Sequence, residues 1–275
     1  MEKNRILMIA SDIDGTLLHR DGTISEYTVQ VIHEAQDRGI LFTVCSGRYP
    51  EHADVILRTY GIRCPVAGNN GATLWDARTD KVLSDHFISR ESALRAMKAA
   101  EALGIHYIIF GRKHVVGNCA EALHSSQRLY GDALKNEYGI LFESGAEAVD
   151  TALSQPVNKF YFHYDTSAEK LRLVEALQGI PGISVTTSGA SNVEIIPEGC
   201  NKAAGVVRMA ELFGVPMEQV MTIGDYENDI PMLQAAGLGV AMGNALDEIK
   251  HQVHHVTLSN EQDGVAKAIE KYVLA

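Results

Sequence analysis

The sequence predicts an α/β fold: a Rossmann-like, doubly wound parallel sheet core that carries an inserted α+β domain. Short apolar segments alternate with helical segments in the first third of the chain, and the same alternation returns in the last third. The middle third instead contains a hairpin and mixed helices, which are typical of an α+β module. The predicted core therefore covers 1–82 and 194–275, and the inserted domain covers 83–193.

Apolar runs and helix-terminal residues predict the elements of the first third. Segment 6–10 is continuously apolar and includes β-branched residues, as a strand buried on both faces does. Ser25 suits the N-cap of the following helix, and Gly39 suits the position after its end. Further buried strands are predicted at 41–45 and 66–68.

The same signals extend the prediction to the rest of the chain. In the middle third, two strand-like segments around a tight turn predict a hairpin at 107–110 and 114–117. The other predicted elements beyond the first third are strands at 157–163, 183–187, 220–223 and 238–242, and helices at 167–178, 201–213, 230–236, 245–251 and 265–272.

Length and composition exclude several classes of protein. A chain of 275 residues with 46% hydrophobic and 21% charged residues can bury a sizeable core, so neither a disordered chain nor a small disulfide scaffold is expected. The formal net charge of −11, with no local basic patch, predicts that nucleic acid is not a partner. A monomer or a weak dimer is expected.

Cysteine spacing and the N-terminal segment predict a cytoplasmic location. The four cysteines are widely spaced without a C-x-x-C pair, and we interpret them as small apolar residues rather than catalytic thiols. The apolar run near the N-terminus is too short for a signal peptide or a membrane span. No membrane partner is therefore expected.

Four carboxylates follow the ends of predicted strands. Asp12 and Asp14 come after the first strand, and Asp225 and Asp229 come after the strand at 220–223. Ligands of open α/β sheets bind beyond the carboxyl ends of strands, so these side chains are candidates for one site. Two simpler interpretations remain open: an Asp-rich surface turn at the first position, and a helix cap at the second.

A cation would allow these carboxylates to converge. Like charges a few ångströms apart repel strongly in a partly buried site, and a hard divalent cation with oxygen ligands relieves that repulsion. Mg²⁺ is the natural candidate, because it is held by few carboxylates together with water and a substrate phosphate. Lys202 either adds a fixed positive charge to this site or is a solvated surface residue.

A second candidate site segment is Ser46-Gly47-Arg48, which follows the strand at 41–45. A hydroxyl group and unobstructed backbone N–H groups can hold phosphate oxygens. Arg48 has two open interpretations, since it can make a structural salt bridge or contact a ligand.

These segments together resemble the phosphatases of the haloacid dehalogenase superfamily. Their order and spacing, with a large insert between the second and third motifs, are similar to those of the Cof-type branch with a C2B cap, and the resemblance spans nearly the whole chain. The motifs are Asp12-Ile13-Asp14-Gly15-Thr16, Ser46-Gly47-Arg48, Asn69-Asn70-Gly71-Ala72, Lys202 and Gly224-Asp225-Tyr226-Glu227-Asn228-Asp229.

The resemblance implies a role for each matched residue. Asp12 is implied to be the nucleophile that becomes an aspartyl phosphate, and Asp14 the general acid and base, with Lys202 as the third catalytic residue. Asp12 and Asp225 are implied to bind Mg²⁺ directly, with Asp229 nearby and Asp14 contributing its backbone carbonyl. The residues implied to bind phosphate or substrate are Ile13, Ser46, Gly47, Arg48, Asn70, Lys202 and Asn228.

The implied function is that of a Mg²⁺-dependent phosphatase, a phosphoric monoester hydrolase that acts on a small phosphorylated metabolite. Sugar phosphates are the leading substrate class, with flavin mononucleotide, pyridoxal phosphate and nucleotides as alternatives. The insert at 83–193 is then a cap domain that helps to select the substrate. Two other functions stay open: a phosphomutase of the same superfamily, and a catalytically silent sensor of phosphorylated ligands.

Overall fold

The computed structural model describes residues 5–127, 131–189 and 191–275, which form two units. One unit runs through Ser84 and resumes at Asn201–Ala275, and the other unit is Asp85–Cys200. The strands, in chain order, are β1 (Met8–Ser11), β2 (Leu41–Cys45), β3 (Pro65–Gly68), β4 (Thr73–Asp76), β5 (Lys81–Asp85), β6 (Tyr107–Gly111), β7 (His114–Gly117), β8 (Leu141–Ser144), β9 (Val157–His163), β10 (Ile183–Thr186), β11 (Asn192–Pro197), β12 (Val220–Gly224), β13 (Leu238–Ala241) and β14 (His255–Val256).

Helices connect most of these strands, and several begin with side-chain caps. Ser25 accepts a hydrogen bond from the Thr28 N–H and so caps the first helix, as the sequence predicts. The helices are α1 (Glu26–Asp37), α2 (Pro50–Arg58), α3 (Arg90–Ala102), α4 (Ala120–Gln127), α5 (Gly131–Tyr138), α6 (Ala146–Leu153), α7 (Ser167–Leu177), α8 (Lys202–Leu212), α9 (Ile230–Ala235), α10 (Asp247–Lys250) and α11 (Gly264–Ile269).

The first unit is built on an eight-stranded sheet in the order β14-β13-β12-β1-β2-β3-β4-β5. Pairing is parallel from β14 through β3, and β4 pairs with β3 in the antiparallel direction. Both faces of the sheet are covered, since Met8 and Ala10 pack in one apolar cluster while Ile9, which points to the other face, is equally buried. The predicted α/β class is confirmed.

The second unit has a six-stranded sheet in the order β10-β11-β9-β6-β7-β8. The predicted hairpin is present, with β6 and β7 paired antiparallel. The aromatic side chains of Tyr107, Phe160 and Phe162 lie in the apolar core of this unit, and the last two are stacked at 5.7 Å between ring centroids. This unit therefore has a core of its own.

Within the described residues, no helix is both long and apolar enough to cross a membrane.

Candidate active site

Two neighbouring strands bring the first and last carboxylate motifs together. Strands β1 and β12 are parallel and in register, with Ser11 opposite Ile223. The Asp12 N–H donates to the Ile223 carbonyl at 2.9 Å, which extends the pairing one residue beyond the end of β1. Residues that lie 213 positions apart in the sequence, Asp12 and Asp225, therefore follow the same edge of the sheet.

Three carboxylates and one ammonium group form the centre of the site. Asp12, Asp225 and Asp229 each offer a carboxylate oxygen within 4.8 Å of the others. Lys202, the first residue of α8, is only 2% exposed, and its Nζ lies 2.8 Å from Asp12 Oδ1 and 2.6 Å from Asp229 Oδ1. This burial excludes the interpretation of Lys202 as a solvated surface residue.

The site carries an excess of buried negative charge. Burial, and then the charge of Asp229, raise the pKa of Asp12 well above its usual range. Burial also raises the pKa of Asp225 to about 6. Burial alone would lower the pKa of Lys202, but the charges of Asp12 and Asp229 raise it instead, so the lysine stays protonated. One ammonium group cannot neutralise three carboxylates, so the charge of the site favours binding of a further cation. Carboxylate oxygens are ligands that suit Mg²⁺.

Short contacts hold Asp225 and Asp229 in position. The Thr16 hydroxyl donates to Asp225 Oδ1 at 2.6 Å, so the first motif directly orients the last one. The backbone N–H groups of Asp225 and Tyr226 both donate to Asp229 Oδ2 at 2.9 Å. Gly15 has a positive φ of 77°, and a Cβ at this position would collide with the Asp225 carboxylate, so the turn needs glycine.

Asp14 forms an ion pair with Arg48 and is not one of the three carboxylates grouped at the centre of the site. The Arg48 Nε and Nη2 atoms donate to the two Asp14 oxygens at 2.7 and 2.6 Å, and Nη1 lies 2.9 Å from Nε2 of His52. Burial alone would raise the pKa of Asp14, but the hydrogen bonds and charge of Arg48 hold it below its usual range. Of the two interpretations of Arg48, the salt bridge is the one observed.

Apart from Lys202, the predicted phosphate-binding residues lie in four segments of the chain. Ser46 is 1% exposed, and its hydroxyl accepts a hydrogen bond from the Arg48 N–H at 3.1 Å. Asn70 is equally buried, and its side-chain oxygen accepts from the Asn228 amide at 3.1 Å. Ile13 lies in the turn directly after Asp12, and Gly47 lies between Ser46 and Arg48.

Cys45 is a buried thiol that contacts the Lys202 backbone. The Cys45 Sγ contacts the Lys202 carbonyl at 3.5 Å, and burial raises the pKa of this thiol to about 12. Cys45 therefore has no thiolate character near neutral pH.

The sequence prediction missed two asparagines that contact the first motif and the residues just after it. The Asn244 amide donates to the Gly15 carbonyl at 2.7 Å, and its oxygen accepts from the Asn260 N–H at 3.0 Å. The Asn260 side chain donates to the Leu18 carbonyl at 2.8 Å. Asn244 follows β13, so the rule that ligands lie beyond strand ends would have drawn attention to it.

Comparisons with known proteins agree with this architecture. The family model for haloacid dehalogenase-like hydrolases matches residues 9–269. The 5-amino-6-(5-phospho-D-ribitylamino)uracil phosphatase YcsE of Bacillus subtilis is 30% identical over 273 residues, covering 98% of this chain and 96% of that protein. The pyridoxal phosphate phosphatase YbhA of Escherichia coli is 27% identical over 275 residues, covering 97% and 98%.

A solved structure is similar in fold to this chain. The sugar phosphatase BT4131, of haloacid dehalogenase subclass IIB, superimposes with a TM-score of 0.77 at 24% identity, covering 96% of this chain and 98% of that one. The chain therefore belongs to the haloacid dehalogenase-like hydrolase family, as the motifs predicted, and is a phosphoric monoester hydrolase.

Proposed function

We propose that this protein is a Mg²⁺-dependent phosphatase of small phosphorylated metabolites that works through an aspartyl phosphate on Asp12. The observation that carries the proposal is the group of Asp12, Asp225 and Asp229 around the buried ammonium of Lys202. A carboxylate in this position can attack phosphorus if positive charge offsets the repulsion between the two anions.

The carboxylate oxygens fit a hard divalent cation, so we assign the metal site to this group. Asp12 and Asp225 would bind Mg²⁺ directly, Asp229 would act nearby, and Asp14 would contribute its backbone carbonyl. When bound, the cation would neutralise charge on the phosphoryl group and on the carboxylates. Its loss should leave the fold intact and the reaction slow.

The chemistry then takes two displacements at phosphorus. An Asp12 carboxylate oxygen forms a bond to phosphorus while the bond to the leaving oxygen breaks, and Asp14 gives that oxygen its proton. Water next attacks the same phosphorus, Asp14 takes a proton from the water, and the Asp12 carboxylate is released with inorganic phosphate. The phosphoryl oxygens are held meanwhile by Lys202, Ser46, Gly47, Asn228 and the Ile13 N–H.

Arg48 has a defined place in this proposal. A carboxylate that accepts two hydrogen bonds from a guanidinium group holds no proton, whereas the first displacement needs a protonated Asp14. Asp14 therefore has to leave Arg48 before it can act as an acid, and the freed guanidinium group can bind the anionic substrate. The salt bridge and the ligand contact, which the sequence left open as alternatives for Arg48, are then two states of this residue in one catalytic cycle.

We also propose that the unit Asp85–Cys200 is the cap domain that the sequence predicted at 83–193, and that it helps to choose the substrate. The relatives named above act on an aminouracil ribityl phosphate and on pyridoxal phosphate, and both are small phosphomonoesters. These two compounds and the sugar phosphates form the substrate class that we propose.

A screen for phosphate release tests the proposal. We expect wild-type protein with Mg²⁺ to release inorganic phosphate from members of this class over many turnovers, and EDTA to suppress the release. The Asp12→Asn variant should fold normally and lose nearly all turnover. An isomerised sugar phosphate without free phosphate would indicate a phosphomutase, and binding without release would indicate a sensor.

A further inference from the structure

The turn Asn69–Gly71 has an uncommon backbone next to the candidate site. The φ angles of Asn69, Asn70 and Gly71 are 51°, 53° and 85°, so three consecutive residues occupy the left-handed region. Non-glycine residues adopt this region only rarely, and they persist there when the surrounding structure fixes them. Both asparagines are fully buried. Such local constraint often accompanies a functional position.

Backbone hydrogen bonds connect this turn to the segment that carries Ser46. The Asn70 N–H donates to the Ser46 carbonyl at 2.9 Å, and the Asn69 N–H donates to the Arg48 carbonyl at 2.8 Å. The Asn69 side chain donates to the Thr73 hydroxyl at 3.3 Å. The turn is therefore fixed on its β2 side.

Close backbone contact connects the same turn to the start of α8. A Cβ added to Gly205 would lie 2.8 Å from the Gly71 Cα, and a Cβ on Gly71 would collide with the Asn201 carbonyl. Arg208 also donates a hydrogen bond to the Gly71 carbonyl. The turn thus has little freedom to move relative to the helix that begins at Lys202.

Asn70 uses its fixed position to bind the Asn228 side chain. Its Oδ1 accepts a hydrogen bond from Asn228 Nδ2 at 3.1 Å. An amide nitrogen carries two hydrogens, so a bond from one of them to a rigid acceptor gives the other a defined direction. We infer that Asn70 is a positioning residue, which orients the Asn228 amide towards a phosphoryl oxygen. This inference rests on the proposed function, in which Asn228 holds the phosphoryl group.

The inference changes the role that the resemblance implied for Asn70. Instead of binding phosphate or substrate itself, Asn70 acts through Asn228. Removing the Asn70 side chain should then weaken phosphate binding only as long as Asn228 is present. Two residues that act through one contact show such non-additive effects, whereas independent contacts add.

Titration calorimetry with inorganic phosphate, in the presence of Mg²⁺, tests this inference. Asn70→Gly suits the left-handed backbone and removes the acceptor. We expect Asn70→Gly and Asn228→Ala each to weaken phosphate binding about tenfold, and the double variant to be within about twofold of Asn228→Ala. The matched control Asn69→Gly, in the same turn, should change the affinity less than about twofold.

Two results would overturn the inference. One is an affinity for phosphate in Asn70→Gly that equals that of the wild type. The other is a further tenfold loss of phosphate affinity when Asn70→Gly is added to Asn228→Ala. Thermal unfolding of each variant identifies any loss of fold. The binding assay does not depend on turnover, so it can decide the role of Asn70 even if the protein hydrolyses nothing. A wild-type protein that binds phosphate but hydrolyses no substrate would disprove the proposed function alone.

Discussion

Lys202 shows at the scale of one residue how the site is held together. Its ammonium group is buried and is stabilised there by two carboxylates at 2.8 and 2.6 Å. A buried ion pair of this kind contributes little net stability, but the removal of one partner leaves charges buried and uncompensated. The lysine is therefore needed for the fold of the site as well as for the proposed chemistry.

Lys202→Met should destabilise the metal-free protein by about 3 kcal/mol, since Asp12 and Asp229 would lose their shared cation. Urea unfolding in EDTA measures this loss. Lys250→Met is the control, because Lys250 pairs with Asp247 at an exposed site and its loss should change the stability by less than about 0.5 kcal/mol. Equal stability of the two variants would contradict the electrostatic account.

Asp12→Asn should have the opposite effect on stability. The Asp12 carboxylate is disfavoured by burial and by Asp229, and Lys202 would keep its ion pair with Asp229 at 2.6 Å, so a neutral amide should raise the metal-free stability by about 1 kcal/mol. Thermal unfolding in EDTA should show a higher midpoint for the variant. A lower midpoint would mean that the Lys202–Asp12 pair outweighs the repulsion.

At the scale of elements, the approach of α8 to the turn Asn69–Gly71 depends on Gly205. Alanine at this helical position would improve helix propensity by about 1 kcal/mol. The added Cβ would, however, lie 2.8 Å from the Gly71 Cα and 3.4 Å from the Ala67 Cβ. We expect Gly205→Ala to destabilise the protein by about 1–3 kcal/mol in urea unfolding. A gain in stability would show that the helix can shift without cost.

Asp263 connects the start of α1 to the start of α11, and its contribution should depend on pH. The hydroxyl groups of Ser25 and Thr28 donate to Asp263 Oδ1 at 2.5 and 3.1 Å. Burial alone would raise the pKa of Asp263, but these hydrogen bonds lower it. The stabilisation is then fully present above the unfolded pKa of about 4, and it is lost as pH falls through the lower folded pKa.

Asp263→Asn tests this connection, because asparagine tolerates the positive φ of 58° at this position. The variant should be about 1 kcal/mol less stable than the wild type at pH 7, and the difference should narrow at pH values below about 4. Urea unfolding at pH 7 and at the lowest pH where both proteins fold measures it. A difference independent of pH would exclude the ionised carboxylate as its cause.

The sequence predicted most elements of the first unit because their signals are local. Ser25 caps α1 and the apolar runs at 41–45 and 220–223 became strands, as expected. Strand β4 at Thr73–Asp76 was missed, since Asn69-Asn70-Gly71 was interpreted only as a motif and not as the turn that reverses the chain. The helix predicted at 245–251 is shorter, at Asp247–Lys250.

The site could be predicted only in part, because most contacts between its side chains join residues that are distant in the sequence. Strand ends pointed to Asp12 and Asp225, because parallel neighbours end at one edge of a sheet. The pairing of Arg48 with Asp14, and of Asn70 with Asn228, joins residues that are 34 and 158 positions apart. No periodicity or spacing in a single sequence specifies which side chains meet over such separations.

At the scale of the whole molecule, the chain carries a net charge of −11, although we propose that its site binds an anion. Mg²⁺ bound at this site should stabilise the folded protein, because the carboxylates are grouped in the folded protein and not in the unfolded chain. At about a hundredfold excess over its dissociation constant, the gain is about 2.7 kcal/mol. Calorimetric unfolding with Mg²⁺ and with EDTA should show the shift in the wild type and lose most of it in Asp225→Asn. Equal shifts in both proteins would place the metal elsewhere.

The proposed mechanism requires that Asp12 becomes covalently phosphorylated during turnover. Rapid acid quenching after mixing with a substrate labelled at phosphorus, followed by mass spectrometry of the digested protein, measures this directly. We predict a phosphoryl group on the peptide that contains Asp12 within the first turnover, and none in Asp12→Asn. Multiple turnovers without any phosphorylated Asp12, in the wild type and in a slowed Asp14→Asn variant alike, would contradict the account.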